Sequence, residues 1–334
     1  ITADSRTGVL RLWNVSQASF KKAIKINDSG CKEMILLDEQ TVAVGFTNGS
    51  VGVYNFVKQQ FEFQTENGHC ETIFDGAFCN SNSNLFSTVS YDGSVKIWDT
   101  TTMKNIETLH TEKNIIYSIS WHPSQDNVAV SMSSGHVWIY DVNKRLVKHK
   151  FTHHSSNCYR VAWNPHDASM LASTSKDYKC TVFKDDGKIL KEYVHPDVVF
   201  GVDWSNNDQN FLATGCFDYS VRVFNVSHPN DIPIKVLKGH TAAVYNVKWH
   251  PLFSHILMSG SNDKTVRVWN LNNNDCKVLK GHTDNVRALS WNYEVPNIAI
   301  SGSWDGTIRV WNINDASCIA VIHNHYSEVY GLSS

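Results

Sequence analysis

The sequence predicts an all-β protein made of about eight copies of a four-stranded unit, on three observations. First, short alternating strands closing on an aromatic recur along the whole chain. They are GVLRLWN ending at Trp13, SVGVYN at Tyr54, SVKIWD at Trp98, HVWIYD at Tyr140, CTVFK at Phe183, SVRVFN at Phe224, TVRVWN at Trp269 and TIRVWN at Trp311. Successive aromatics lie 41 to 45 residues apart. Second, GAF, ISW, VAW, VDW, VKW and LSW place Phe78, Trp121, Trp163, Trp204, Trp249 and Trp291 at one phase of that period. The alternation V-x-W marks each as a half-buried strand. Third, His69, His154, His195, His240 and His282 each precede a Ser or Thr by 19 residues: Thr88, Ser173, Thr214, Ser259 and Ser301. Four residues further stands an Asp, at 92, 177, 218, 263 and 305, and six beyond that comes the strand-closing aromatic.

Each element follows from these registers. V-x-W opens a unit, a segment such as LMSGS before Asn262-Asp263 supplies the second strand, and the Trp-closing strand is the third. A fourth fits the remaining length. A period of about 40–45 residues carrying four strands is the signature of propeller blades, which bury their faces only by stacking round a ring.

Gly-His, then Ser-x-x-x-Asp, then Trp-Asp resembles the WD-repeat family. The resemblance implies a His–Ser–Asp–Trp hydrogen-bond network in each intact blade. The Asp sits in a tight turn where a short carboxylate accepts local N–H groups. The His, oriented by that Asp, meets the hydroxyl, which meets the indole N–H, so each buried polar group has a partner. His282, Ser301, Asp305 and Trp311 form a complete set, as do His240, Ser259, Asp263 and Trp269; His69, Thr88, Asp92 and Trp98 differ only by Thr for Ser. Phe183 and Phe224 lack the N–H donor. The blade closing on Tyr140 has Ser134 where the Asp belongs, and the first two repeats have Thr7 and Asn48.

The chain has 334 residues, and its eight repeats span all of them. Seven or eight four-stranded blades are expected. ITADSRTG opens on no initiator Met, so the chain reads as a piece of a longer protein. Several segments resemble a tandem-propeller member of the family with a helical-repeat tail. On that reading the piece spans two propellers, with a boundary near residues 57–66.

The bulk composition narrows the function. Net charge is -2, which offers no electrostatic footprint for nucleic acid. No apolar run approaches the ~18 residues of a membrane span. Eight cysteines are scattered with no CxxC pair, a pattern of buried thiols in a reducing compartment. Sixteen histidines include no HExxH, and His153-His154 is the nearest approach to a cluster. The His–Ser–Asp sets share the composition of a hydrolase triad, but an active site occurs once per domain and these recur. No GxGxxG or GxxxxGK[ST] follows a strand. No enzyme, cofactor or metal site is expected.

The informative positions lie five residues after a repeat His or four before the inner-strand aromatic: Phe74, Tyr117, Tyr159, Phe200, Tyr245, Arg287 and Tyr330. In the family this phase resembles the start of the inner strand at the rim of the central channel. The residue before each turn Asp faces the same rim: Tyr91, Lys176, Phe217, Asn262 and Trp304. Aromatics and Arg are the types enriched at interface hot spots. The bland alternative is that they pack on one another and narrow the channel mouth. The expectation is a cytoplasmic, non-catalytic scaffold that binds a protein or peptide on this rim. The rival is a structural spacer in a coat or ciliary-transport type of assembly.

Overall fold

A computed structural model of the chain describes residues 2–3, 8–14, 19–36, 40–65, 68–102, 104–111 and 114–322. The described residues form only strands, turns and loops. There are seven four-stranded antiparallel blades, at 31–65, 73–110, 116–151, 158–194, 199–237, 244–280 and 286–322, numbered 1 to 7 here. Within each, sequence neighbours pair in order, so every connection is a hairpin. The first repeat supplies a three-stranded sheet, Thr2–Ala3, Val9–Asn14 and Ser19–Lys25, whose first strand lies against the inner strand of blade 1. Of residues 57–66, those described, 57–65, run into and form the outer strand of blade 1, Gln60–Thr65. Inner strands pack each on the next from blade 1 through blade 7. The final inner-strand segment, 329–332, lies outside the described residues.

The core sits between blades. A strand buried on both faces reads as a continuous apolar run, and the second strands do so: Val128 to Met132 is wholly buried. One cluster joins Met258, Val266 and Leu279 of blade 6 to Val286, Leu289, Trp291 and Trp311 of blade 7. The inner-strand tryptophans also stitch blades with their polar ends. The indole N–H of Trp204 donates to Ala162 O at 3.1 Å, that of Trp249 to Asp203 O at 3.2 Å and that of Trp291 to Lys248 O at 3.2 Å. Each acceptor belongs to the preceding blade.

The His networks close in blades 2, 6 and 7. In blade 7, Trp311 Nε1–H donates to Ser301 Oγ at 2.8 Å, Ser301 meets His282 Nε2 at 2.8 Å, and His282 Nδ1 meets Asp305 Oδ2 at 2.9 Å. Blade 6 repeats this through Trp269, Ser259, His240 and Asp263, and blade 2 through Trp98, Thr88, His69 and Asp92. One assignment satisfies every atom: indole to hydroxyl, hydroxyl to Nε2, Nδ1–H to carboxylate. The carboxylate also accepts a backbone N–H from the loop after the His, as Asp305 does from Thr283 at 2.7 Å. Burial would raise the Asp263 pKa, but hydrogen bonds from His240 and Thr265 hold it well below the carboxylate range.

Blade 5 departs from the repeat, and the reason is steric. In blades 6 and 7 the third-strand arginines, Arg267 and Arg309, lie over the network tryptophans, 5.8 and 5.9 Å from the ring centroids. Their guanidiniums fill the space left by the glycines before His240 and His282. A Cβ at Gly239 would sit 2.5 Å from Arg267 Nη1, and Gly281 is crowded likewise by Arg309. Before His195 that position holds Val194, the last residue of the outer strand of blade 4, and the third strand of blade 5 carries Arg222. Arg222 turns instead to Asp218, with Nη2–Oδ2 at 2.6 Å and Nη1–Oδ1 at 3.1 Å. The expected His195–Asp218 pair is therefore replaced. His195 Nδ1 donates to its own strand, at Tyr193 O, 2.9 Å away, and keeps only Thr214 from the repeat pattern. In blade 4, His154, Ser173 and Asp177 connect without a tryptophan, as Phe183 requires. Blade 3 has no such network: Ser134 Oγ is buried without a hydrogen bond.

Three outcomes follow. In thermal denaturation, Asp263→Ala and Asp305→Ala should each cost about 1–3 kcal/mol, because a buried His loses its acceptor, while Ser134→Ala should cost almost nothing. Equal losses would show that the network does not distinguish the blades. Asp218→Ala should cost at least as much as Asp263→Ala, since it strands the buried Arg222 charge, and adding Arg222→Ala should recover part of the loss. No recovery would mean that Asp218 acts through something other than Arg222. The third outcome concerns pH. Burial, then the Arg222 charge, pushes His195 down to about 4 from 6.5. The unfolded chain therefore binds the extra proton between those values, so this contribution to stability is full above pH 6.5 and lost as pH falls toward 4. His195→Gln should flatten the decline in Tm across that window; an unchanged slope would remove His195 as its cause.

Candidate functional site

The rim residues are set by a backbone irregularity that recurs in every blade. In blade 3, Ile116 pairs with Met132 and Ser118 with Ser131, so Tyr117 is an extra residue with no partner in the ladder. The same bulge leaves out Phe74, Tyr159, Phe200, Tyr245 and Arg287, and falls at Lys32 in blade 1. A bulge re-aims the side chain it carries. Here the bulge carries six consecutive side chains that meet one another.

Those side chains touch in sequence around the arc. Ring centroids lie 5.6 Å apart for Phe74–Tyr117, 5.4 Å for Tyr117–Tyr159, 5.1 Å for Tyr159–Phe200 and 4.2 Å for the stacked pair Phe200–Tyr245. The Arg287 guanidinium continues the series, 3.1 Å from the Tyr245 centroid and 4.5 Å from that of Trp304. Two residues before turn aspartates join from the outside, with Phe74–Tyr91 at 6.1 Å and Phe200–Phe217 at 6.3 Å. The inner members are half-buried, and Tyr91 and Phe217 are exposed. The belt is thus both packed within itself and wet on its outer face. Lys176 and Asn262, at the phase of Tyr91, make no ring contact with it; Lys176 is exposed and Asn262 half-buried. Tyr330 lies outside the described residues, as does Thr7.

Below the belt the channel is crossed by charges that sequence reasoning missed. Arg160 of blade 4 reaches past blade 3 to Asp75 of blade 2, Nη1–Oδ2 3.3 Å. Asp75 Oδ2 also accepts the Ile119 N–H at 3.2 Å. Asp203 accepts the Trp249 N–H at 2.8 Å and faces Lys248 at 3.3 Å. Burial pushes the Asp203 pKa up, against the pull of Lys248 and Arg160. The signal for these was the alternation of the inner strands, which sends Asp75, Arg160, Asp203 and Lys248 away from the blade core.

A second missed feature is the residue after each turn aspartate. The turn needs a left-handed residue there, and Gly93 and Gly306 supply it. Blades 4, 5 and 6 have Tyr178, Tyr219 and Lys264 instead, at φ of 71°, 73° and 70°. The signal was visible as Asp-Tyr and Asp-Lys where other repeats read Asp-Gly.

The described residues hold no group of three or more His, Cys, Asp and Glu side chains placed to bind a metal ion. No helix of the described residues is long and apolar enough to cross a membrane.

The comparisons agree with this architecture. The family model for the WD domain, G-beta repeat matches residues 187–225, 231–270 and 273–312. The Anaphase-promoting complex subunit 4 WD40 domain model matches residues 77–166. The GATOR2 complex protein Wdr24 of Drosophila melanogaster is 29% identical over 69% of this chain and 30% of its own length. The methylosome protein WDR77 of Xenopus laevis is 26% identical over 66% of this chain and 69% of its own length. The chain thus spans under a third of Wdr24. The crystal structure of the computationally designed Ika8 protein superposes with a TM-score of 0.80 at 22% identity, over 93% of this chain and 92% of that one, a likeness of fold. With four-stranded blades, the His–hydroxyl–Trp networks and WD40-type models matching more than half its length, the chain belongs to the WD40-repeat β-propellers.

Proposed function

We propose that this propeller is a non-catalytic interaction scaffold that holds a protein or peptide partner on its aromatic rim. The observation that carries this is the belt itself. Seven bulges repeat round the channel, and five of the six whose side chains are described carry large aromatics. A channel plug alone needs only volume, which Leu or Val would provide. Tyr, Phe and Arg add large contact area at low conformational cost. Phe200, Tyr245 and Tyr159 form the centre, with Arg287, Phe217, Tyr91 and Trp304 around them. Arg287 lies against two rings, those of Tyr245 and Trp304. The names of the relatives point the same way, one to the GATOR2 complex and one to the methylosome.

A second reading keeps the propeller as a spacer within a longer chain. It rests on a finer likeness of several segments to the central part of WD repeat-containing protein seventeen and on the short span of Wdr24 that this chain covers. In that case the rim is packing and the partners lie elsewhere.

Phe200→Ala combined with Tyr245→Ala separates the two. Partner retrieval from cell extract should be lost, with Tm held within a few degrees. Retrieval that survives favours the spacer, and a collapsed fold makes the belt part of the core.

A further inference from the structure

The rim is not uniform, and its irregularity points to the chemistry of what it binds. Blades 4 and 5 put tyrosines where the turn wants glycine. A bulky residue at φ near +70° is strained, and such strain persists where the surroundings hold it in place. Tyr178 and Tyr219 do not repay it by burial, since each is 46% exposed. Blade 6 continues the series with Lys264, also exposed. Three consecutive blades thus display a side chain at the one position of the turn that disfavours it.

Two blades of this arc lack stabilising features found elsewhere. Blades 2, 6 and 7 close their His networks, whereas blade 4 has no indole donor and blade 5 has no His–Asp pair. Val194, which ends the outer strand of blade 4 and pairs with Lys179 beside the Tyr178 turn, is itself 71% exposed. Phe217 connects this patch to the rim through Phe200. In blades 4 and 5 the exposed apolar groups and departures from the repeat occur side by side, while blade 6 keeps the whole network and blade 3, outside the arc, lacks it.

The charge of the arc is one-sided. Its turn aspartates are engaged inward: Asp177 by His154, Asp218 by Arg222 and Asp263 by His240. Asp197 folds onto its own backbone, accepting the Val198 N–H at 2.7 Å. Lys176, Lys238 and Lys264 are exposed, and no ion pair engages them among the described residues. Apolar anchors bordered by uncompensated lysines complement a segment that alternates acidic and apolar side chains.

Resting on the scaffold reading above, we propose that the partner is an acidic linear segment of another protein, laid across blades 4 to 6. Its aromatic or aliphatic anchor packs against Tyr178, Tyr219 and Phe217. Its carboxylates meet Lys176, Lys264 and Lys238. The strained turns present these anchors already fixed, so ordering them costs little on binding.

The test selects a phage-displayed library of random 12-residue peptides on the intact chain, then titrates the most enriched peptide, labelled with fluorescein, by anisotropy. Enriched peptides should combine Asp or Glu with Phe, Tyr, Trp or Leu, and binding should weaken at least tenfold between low and high salt. No enrichment, or enrichment of basic peptides, overturns the proposal. Tyr178→Gly with Tyr219→Gly should weaken binding at least tenfold while Tm stays level or rises, because glycine relieves the turn. Lys176→Glu with Lys264→Glu should do the same to affinity. Phe200→Ala with Tyr245→Ala runs alongside. If that pair loses the peptide and the tyrosine pair keeps it, this inference fails and the rim reading stands. If neither pair loses it, both fail.

Discussion

A blade of four strands has two apolar faces and can bury neither alone. Every other feature of this molecule depends on that constraint. Neighbours must stack on both sides, so the core divides into clusters between blades. The tryptophans at the ends of the inner strands meet the constraint twice. Each buries a large ring in the cluster, and in most blades its N–H reaches back to a main-chain carbonyl of the preceding blade. Such a bond is formed only when two blades are in register, so it specifies their relative position as well as their contact.

The His networks act within that frame. They join the loop entering a blade to the tight turn between its second and third strands, through a carboxylate that serves both. Because the set recurs, one blade can depart from it while its neighbours still hold the ring. Blade 5 shows how small the cause can be. A valine in place of glycine removes the seat of an arginine, the arginine takes the aspartate, and the histidine turns to its own backbone.

The period, the strand count and the network positions were legible in the sequence because they are fixed spacings along one chain. The rim phase was legible too, since counting four residues back from each inner-strand aromatic reached Phe74, Tyr117, Tyr159, Phe200, Tyr245 and Arg287. Its cause was not. A bulge is a mismatch of register between two strands, and neither strand alone records it. The exchange at Asp218 was hidden for a similar reason, because it turns on whether a guanidinium 45 residues from its counterpart in blade 6 finds space beside position 194. The salt bridge from Arg160 to Asp75 joins residues 85 apart across the channel, beyond any local pattern. The turn tyrosines could have been found by aligning the repeats on their aspartates, where Gly93 and Gly306 set the rule that Tyr178 and Tyr219 break.

A repeat protein offers an internal standard for separating fold from function. Positions that serve the ring should look alike from blade to blade, since each blade faces the same packing problem. The inner-strand tryptophans do in blades 3 to 7, and so do the turn aspartates in all blades but 1 and 3. Positions that serve a partner have no reason to repeat, because a partner meets one arc and not the others. By that standard the bulged aromatics are ambiguous, for they recur and also pack on one another. The left-handed tyrosines are not ambiguous. They occur in two adjacent blades, oppose the backbone preference of their turn, and leave nearly half of each side chain in water. Local rules broken together on one face, while the ring beneath keeps its pattern, are what a sequence shaped by binding as well as by folding would display.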